Sequence, residues 1–180
     1  MHGILASMAE FYSLNLAQEV LKGMTQKAAI GGTPTKAPLG YLNVRTTDAQ
    51  GRESREIEID PERADLVRFA FTAYATGNWS LSRLAKELTA RGLTTRPTPS
   101  QPAKPLTTTG LHKILTNPYY QGTVTFRGVT YDGTHQPLVD AETWLRVQTN
   151  LDANNARGER PQKYDHYLKA PCTAPAEPSS

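Results

Sequence analysis

LHKILTNPYYQGTVTFRG, residues Leu111–Gly128, passes from helix to hairpin within a single stretch, and the rest of the chain is best read outward from it. Leu111, Ile114 and Leu115 recur at helical spacing, after a hydroxyl-rich start at Thr107-Thr108-Thr109. Asn117-Pro118 ends that helix, because the residue before a proline is pushed out of the helical region. Thr123–Phe126 and Val129–Tyr131 then read as strands of a tight hairpin turning at Arg127-Gly128.

Upstream, Ser80 caps a helix with Leu81, Leu84, Ala85 and Leu88 on one stripe, closed by Gly92. A proline-rich polar loop, Thr94–Pro105, joins it to the Thr107 helix and carries Arg96 and Lys104. Asp60-Pro61-Glu62 predicts another helix start, with a capping carboxylate, proline at the first helical position and an acid near the positive dipole end. Leu66, Val67, Phe69, Ala70, Phe71 and Tyr74 give that helix its buried face, and Gly77 ends it. Before it lie strand candidates Tyr41–Thr46 and Arg55–Ile59, separated by the turn Thr47–Gly51.

The chain opens with a proline-free stretch, Ile4–Ala29, in which two apolar sets lie side by side. Ile4, Met8, Phe11, Leu14, Leu21 and Met24 form one; Leu5, Tyr12, Leu16 and Val20 form the other. One long helix stopping at Gly31-Gly32 follows, with an apolar face wide enough to require a partner. At the other end Asp140 caps a last helix whose face is Trp144, Leu145, Val147 and Leu151. From Asp152 the chain turns polar, and the tail TAPAEPSS has a disordered composition. The expected fold is α+β, a long N-terminal helix followed by a compact domain with helix-turn-helix-like helices and short antiparallel hairpins. It divides as 1–32, a connecting helix; 33–152, the domain; and 153–180, a polar linker and tail.

Composition narrows the function classes. Hydrophobic residues are 38% and charged residues 21% of the chain, with a net charge of +3, which permits an anionic partner without demanding one. One cysteine, Cys172, excludes an internal disulfide and any zinc site built from cysteine pairs, and His135 and His166 are too far apart in sequence to suggest a metal site. No metal and no cofactor are expected. The N-terminus lacks a signal-peptide pattern and no apolar run suffices to span a bilayer, so a cytoplasmic location is expected. No phosphate-binding glycine loop or serine–histidine–acid set at motif spacing is present.

Three blocks in order resemble the large serine recombinase family, which includes phage integrases and transposition resolvases: AEFYSLNLAQEVLKGM (Ala9–Met24), APLGY (Ala37–Tyr41) and LHKILTNPYYQGTVTFRG (Leu111–Gly128). Between the last two, IEIDPERADLVRFAFTAYATGNWSLSRLAKELTARGLTTR fits the family's two-helix segment. The resemblance implies the recombinase DNA-binding domain of a site-specific serine recombinase, gripping double-stranded DNA at an attachment half-site during integration or recombination. Nothing here corresponds to the family's catalytic serine domain; Ser7 and Ser13 lie on the long helix and are not its nucleophile. HYLKA (His166–Ala170) resembles the approach to the family's zinc ribbon, but the paired cysteines are missing. The expectation is a truncated recombinase with no catalytic residue and no strand-exchange activity of its own. The alternatives are a fragment that self-associates or pairs with an intact recombinase through residues 4–29, and an inert mobile-element remnant. A winged-helix regulator would account for Leu111–Gly128 but not for the other blocks.

Within Arg83–Lys104 the cations are Arg83, Lys86, Arg91, Arg96 and Lys104, and the only acid is Glu87. That bias, with Thr107, Thr108, Thr109, His112 and Lys113 on the following helix and Arg127 on the hairpin wing, makes these eleven residues the candidate DNA contacts. The threonines serve equally as helix caps, and without the resemblance Arg83 and Lys86 read better as a solvated face, able to pair with Glu87, than as DNA contacts. Arg96 stands out because a polar loop has little structural reason to be basic. Asp48–Asp65 is acid-rich and should face away from DNA. Arg157, Arg160 and Lys163 read either as a linker tracking the backbone or as disordered tail. Trp79, Trp144, Tyr119 and Tyr120 are read as packing groups rather than base-stacking ones.

Overall fold

A computed structural model describes residues 2–47, 49, 51 and 53–158, with side chains of the first helix described from Glu10 and of the last to Asn155. Asp48, Arg160, Lys163, the 166–170 segment and Cys172, and the side chains of Ile4, Leu5, Met8 and Arg157, fall outside what is described. In chain order come α1 (His2–Ala29), β1 (Tyr41–Thr47), β2 (Glu53–Ile59), α2 (Ala64–Ala75), α3 (Leu81–Ala90) and α4 (Thr108–Leu115). A 3-10 turn at Pro118–Gln121, β3 (Thr123–Phe126), β4 (Val129–Asp132) and α5 (Ala141–Gly158) complete the described residues. The fold is α+β, with β1–β2 and β3–β4 as two separate antiparallel pairs.

Helices α2, α3, α4 and α5 enclose the core. Val67, Phe71 and Tyr74 of α2, Leu84 and Leu88 of α3, Leu111 and Leu115 of α4, and Val147 and Leu151 of α5 are all buried. Each such side chain contributes about 1.5–3 kcal/mol on leaving water. Helix α5 also satisfies backbone groups that helix ends leave open. Asn150 Nδ2 donates to the carbonyls of Tyr74 at 3.0 Å and Ala75 at 3.2 Å, and Gln148 Nε2 donates to Leu115 O at 2.7 Å. Leu145, expected on the buried stripe, is exposed, because it lies off the line through Trp144, Val147 and Leu151.

Two of the sequence blocks meet in one aromatic cluster. The Tyr41 ring lies edge-on to Tyr119 at 5.2 Å and to His135 at 5.4 Å, and Tyr120 packs against Phe71 at 5.2 Å. Burial raises the pKa of all three tyrosines, so their hydroxyls stay protonated donors. Tyr120 donates to Leu39 O at 2.7 Å and Tyr41 to Gln136 O at 2.8 Å, while the Tyr119 hydroxyl shares a 2.6 Å hydrogen bond with Thr33. The connection between α1 and β1 is thereby fastened to the 3-10 turn. Gly40 makes the close approach possible: its φ is +93°, and an added Cβ would sit 3.0 Å from Leu138 and 3.3 Å from Val67.

Helix starts follow the sequence reading with one exception. Ser80, Thr107 and Asp140 accept from the amides of Arg83, Gly110 and Thr143. Asp60 instead heads a turn, accepting from Glu62 N at 3.1 Å, and α2 begins only at Ala64, so Pro61 lies outside it. The Asp60 carboxylate is buried and faces two arginines, which removes it from a capping position.

Helix α1 ends as expected. Gly31 N donates to Ala28 O and Gly32 N to Lys27 O, both at 2.9 Å, with Gly31 at φ +80°. Among the described side chains of this helix only Ala28 is buried, and Phe11, Tyr12, Leu14 and Leu16 are each more than half exposed. Among the described residues no helix is long and apolar enough to cross a membrane.

Candidate nucleic-acid interface

Helices α3 and α4 pack together and are joined by Arg91–Thr107, and the β3–β4 hairpin follows directly after the 3-10 turn. This is a helix-turn-helix-like pair with a wing, in which the connection is the unusual part. It is an ordered arm. Thr95 N donates to Lys104 O at 2.8 Å, Lys104 N to Thr95 Oγ1 at 3.0 Å, and Thr98 N to Gln101 O at 2.8 Å. Buried Leu93 and Leu106 fasten its base to the core.

The candidate cations separate into two groups. Arg96 points inward: its Nη2 donates to Pro38 O at 3.1 Å and its Nε lies 3.9 Å from Asp60 Oδ2. Asp60 is also held by Arg63 at 3.1 Å. Burial pulls the Arg96 pKa down and the Asp60 carboxylate opposes it; a guanidinium so paired stays charged. The polar arm thus has a structural reason for its arginine, contrary to the premise on which Arg96 was singled out. Arg91 is committed too, 2.8 Å from Glu87 and 4.0 Å above the Phe69 ring.

The outward group is Arg83, Lys86, Lys104, Lys113 and Arg127, all exposed and, among the described residues, without an ion pair. Arg83 lies 4.7 Å over the half-buried Trp79, which holds the guanidinium in place without neutralising it. Lys104 Nζ reaches Gln101 Oε1 at 3.5 Å. On α4, Thr107 uses its oxygen as the cap, Thr108 and Thr109 are exposed in the first turn, and His112 is half-buried.

Arg127 occupies an unusual backbone position. The wing turns through Arg127 at φ 51° and Gly128 at φ 80°, the two positive values a type I′ turn requires. Asn or Gly normally fills the first of these, because a branched-out side chain there costs about 1 kcal/mol. An arginine held at such a tip trades stability for position, a pattern found at functional sites.

Tyr119 and Tyr120 are buried and Trp79 and Trp144 pack against the core, so none of the four is offered for base stacking. Among the described residues no cluster of His, Cys, Asp or Glu could hold a metal ion. One group of cations escaped the sequence reading. Lys27, Lys36, Arg45 and Arg55 line a cleft of about 390 Å³ where the end of α1, the connection and the β1–β2 pair meet. The signal was strand alternation, concealed when Asp48–Asp65 is averaged as one acidic segment.

Residues 61–154, from the turn before α2 into α5, match the recombinase family model. The chain belongs to that recombinase family. Its fold is similar to the crystal structure of an LSR–DNA complex (LSR, large serine recombinase), with a TM-score of 0.58 and 22% identity over 76% of this chain and 38% of that one. It is also similar to a structure solved for the sequence requirements of the Listeria innocua prophage attP site, with a TM-score of 0.57 and 22% identity over 74% of this chain and 51% of that one. The chain therefore spans between about a third and a half of the length of these two structures. No curated protein matches it.

Proposed function

We propose that this chain is a duplex-DNA-binding module that grips an attachment half-site through α3, the amino end of α4 and the β3–β4 wing. The carrying observation is the outward set of Arg83, Lys86, Lys104, Lys113 and Arg127, left without ion pairs among the described residues, whereas Arg91 and Arg96 of the same region are committed. Membership of the recombinase family and likeness to a recombinase–DNA complex support the reading. Lys104, Lys113 and Arg127 would contact phosphate, with Thr108, Thr109 and His112 nearest the base edges. No catalytic role is assigned to any residue.

The test is a titration of labelled duplex at several salt concentrations. Neutralising several phosphates makes log K fall linearly with log salt, with a slope of about −0.9 per contact. A flat salt response, or equal affinity for a cognate half-site and random duplex at every salt, sinks the reading.

A second reading has its own observation. The exposed Phe11, Tyr12, Leu14 and Leu16 on α1 suit pairing with another copy of the chain or with an intact recombinase. Leu14→Glu with Leu16→Glu should abolish such association while leaving DNA affinity unchanged. Deletions meant to test it should stop short of Ala28, which belongs to the core.

A further inference from the structure

We infer that the cleft formed by Lys27, Lys36, Arg45 and Arg55 is a second phosphate-binding surface, which carries the DNA backbone across the β1–β2 pair. The inference rests on the DNA-binding reading and adds to it a surface outside the residues matched by the family model.

The strand register sorts charge by face. Tyr41↔Ile59, Asn43↔Ile57, Arg45↔Arg55 and Thr47↔Glu53 alternate with Leu42↔Glu58, Val44↔Glu56 and Thr46↔Ser54. Side chains alternate sides along a strand, so Arg45 and Arg55 share one face while Glu56 and Glu58 occupy the other. Glu53 lies at the far end of the arginine face and does not line the cleft.

Arg45 and Arg55 are directly opposed. Like charges at such positions destabilise a strand pair, and here no ion pair among the described residues relieves them. An anion between the two guanidinium groups would. Lys27 arrives from the last turn of α1 and Lys36 from the connection, and among the described residues no acidic side chain lines the cleft. Three of the terminal carbonyls of α1 that could repel an anion are already occupied: Gln26 O, Lys27 O and Ala28 O accept from Ile30, Gly32 and Gly31.

Lys36 also indicates where the bound strand continues. It lines a shallow groove with Thr95 and Arg96 of the polar arm, and another with Thr125 of β3. The connection carrying Lys36 is thus bordered by the β1–β2 pair, the arm and the base of the wing. It is held rigidly there by the Tyr119–Thr33 and Tyr120–Leu39 hydrogen bonds. A phosphate backbone crossing the wing and the arm would meet Lys36 next and the opposed arginines after it.

The experiment uses the full chain and a labelled mixed-sequence duplex, followed by anisotropy across a salt series. Arg45→Gln with Arg55→Gln should weaken binding about five- to tenfold and flatten the salt slope by about two contacts' worth. Its melting temperature should stay equal or rise, since the opposed charges are gone. Glu56→Gln with Glu58→Gln, on the other face, should leave the salt slope unchanged. If the arginine variant binds and titrates like the parent while Lys113→Ala and Arg127→Ala weaken binding, the cleft is not a DNA surface although the DNA reading stands. If the parent chain shows no salt-dependent duplex binding, both fail. If the arginine variant loses self-association in sedimentation but keeps its DNA affinity and slope, the cleft receives protein carboxylates and the inference is wrong.

Discussion

The polar arm between α3 and α4 and the β3–β4 wing are both two-stranded excursions from the helical core, and each carries an arginine that sequence alone assigns to DNA. The structure treats the two oppositely. Arg96 folds back on the arm, reaches Pro38 O and helps enclose Asp60, and its side chain is only 16% exposed. Arg127 stands at the tip of the wing, exposed, in a left-handed backbone conformation that most residues avoid. The difference lies in what stands opposite each of them. A buried carboxylate draws one guanidinium inward, whereas the other borders an open cleft with Gln18, Lys22 and Gln26 of α1 and meets no carboxylate among the described residues.

Removing each arginine should therefore fail in a different assay. Arg96→Ala is expected to give the largest stability effect, about 2 kcal/mol in urea unfolding. That is less than loss of a whole buried pair, because Arg63 still faces Asp60 at 3.1 Å. Melting should fall by about 4–8 °C. Arg96→Lys should restore little, since an ammonium cannot reach the Pro38 carbonyl and the carboxylate with a planar fork. A variant as stable as the parent but weak on DNA would reverse the assignment.

Arg127→Ala should do the opposite: stability within about 0.5 kcal/mol of the parent, with duplex affinity lowered about three- to tenfold and the salt slope reduced by about one contact. Arg127→Asn sharpens the contrast further. Asn tolerates the left-handed region and forms the favoured Asn-Gly pair with Gly128, so it should gain about 0.5 kcal/mol while losing the same affinity. A stabilised, weaker binder would show that the wing tip is held for function. Unchanged affinity in both variants would return Arg127 to the solvated surface.

Most of the fold was legible because local chemistry and tertiary structure agree. Ser80, Thr107 and Asp140 cap the helices they precede, Asn117-Pro118 stops α4, and Arg127-Gly128 turns the wing. What stayed hidden was pairwise and long-range. Asp60 looks like a cap in sequence, and only the approach of Arg96 from across the chain reveals a buried ionic cluster that delays α2 to Ala64. The Arg45–Arg55 opposition needs the register of β1 and β2, which an average over an acidic segment erases. The APLGY and NPYY blocks could be read as similar to a family, but not as halves of one cluster joined by Tyr41, Tyr119 and Tyr120. Periodicity identifies which side of a helix is apolar; it does not say which distant residue will lie against it.

The gentlest perturbation acts at the base of the wing. His135 is buried and stacked on Tyr119 at 3.7 Å, with Nε2 2.7 Å from Tyr119 O. A carbonyl can only accept, so Nε2 carries the proton, and Nδ1 is left buried without a partner. Burial lowers the His135 pKa from its ordinary 6.5, outweighing the hydrogen bond to Tyr119 O. The folded state therefore holds the ring neutral where the unfolded chain would already bind a proton. Stability is complete above about pH 6.5 and declines as pH falls through that value toward the lower folded pKa. Melts between about pH 8 and pH 5.5, above the range where most carboxylates titrate, should show the decline in the parent and a shallower one in His135→Asn. The comparison is of slopes, because the variant also loses stacking area. Since the ring braces Tyr119 and hence the connection to Thr33, DNA affinity should weaken in the same window. A parent whose melting temperature is level across that range, or a variant that keeps the full slope, would mean that His135 does not set the acid sensitivity of the wing.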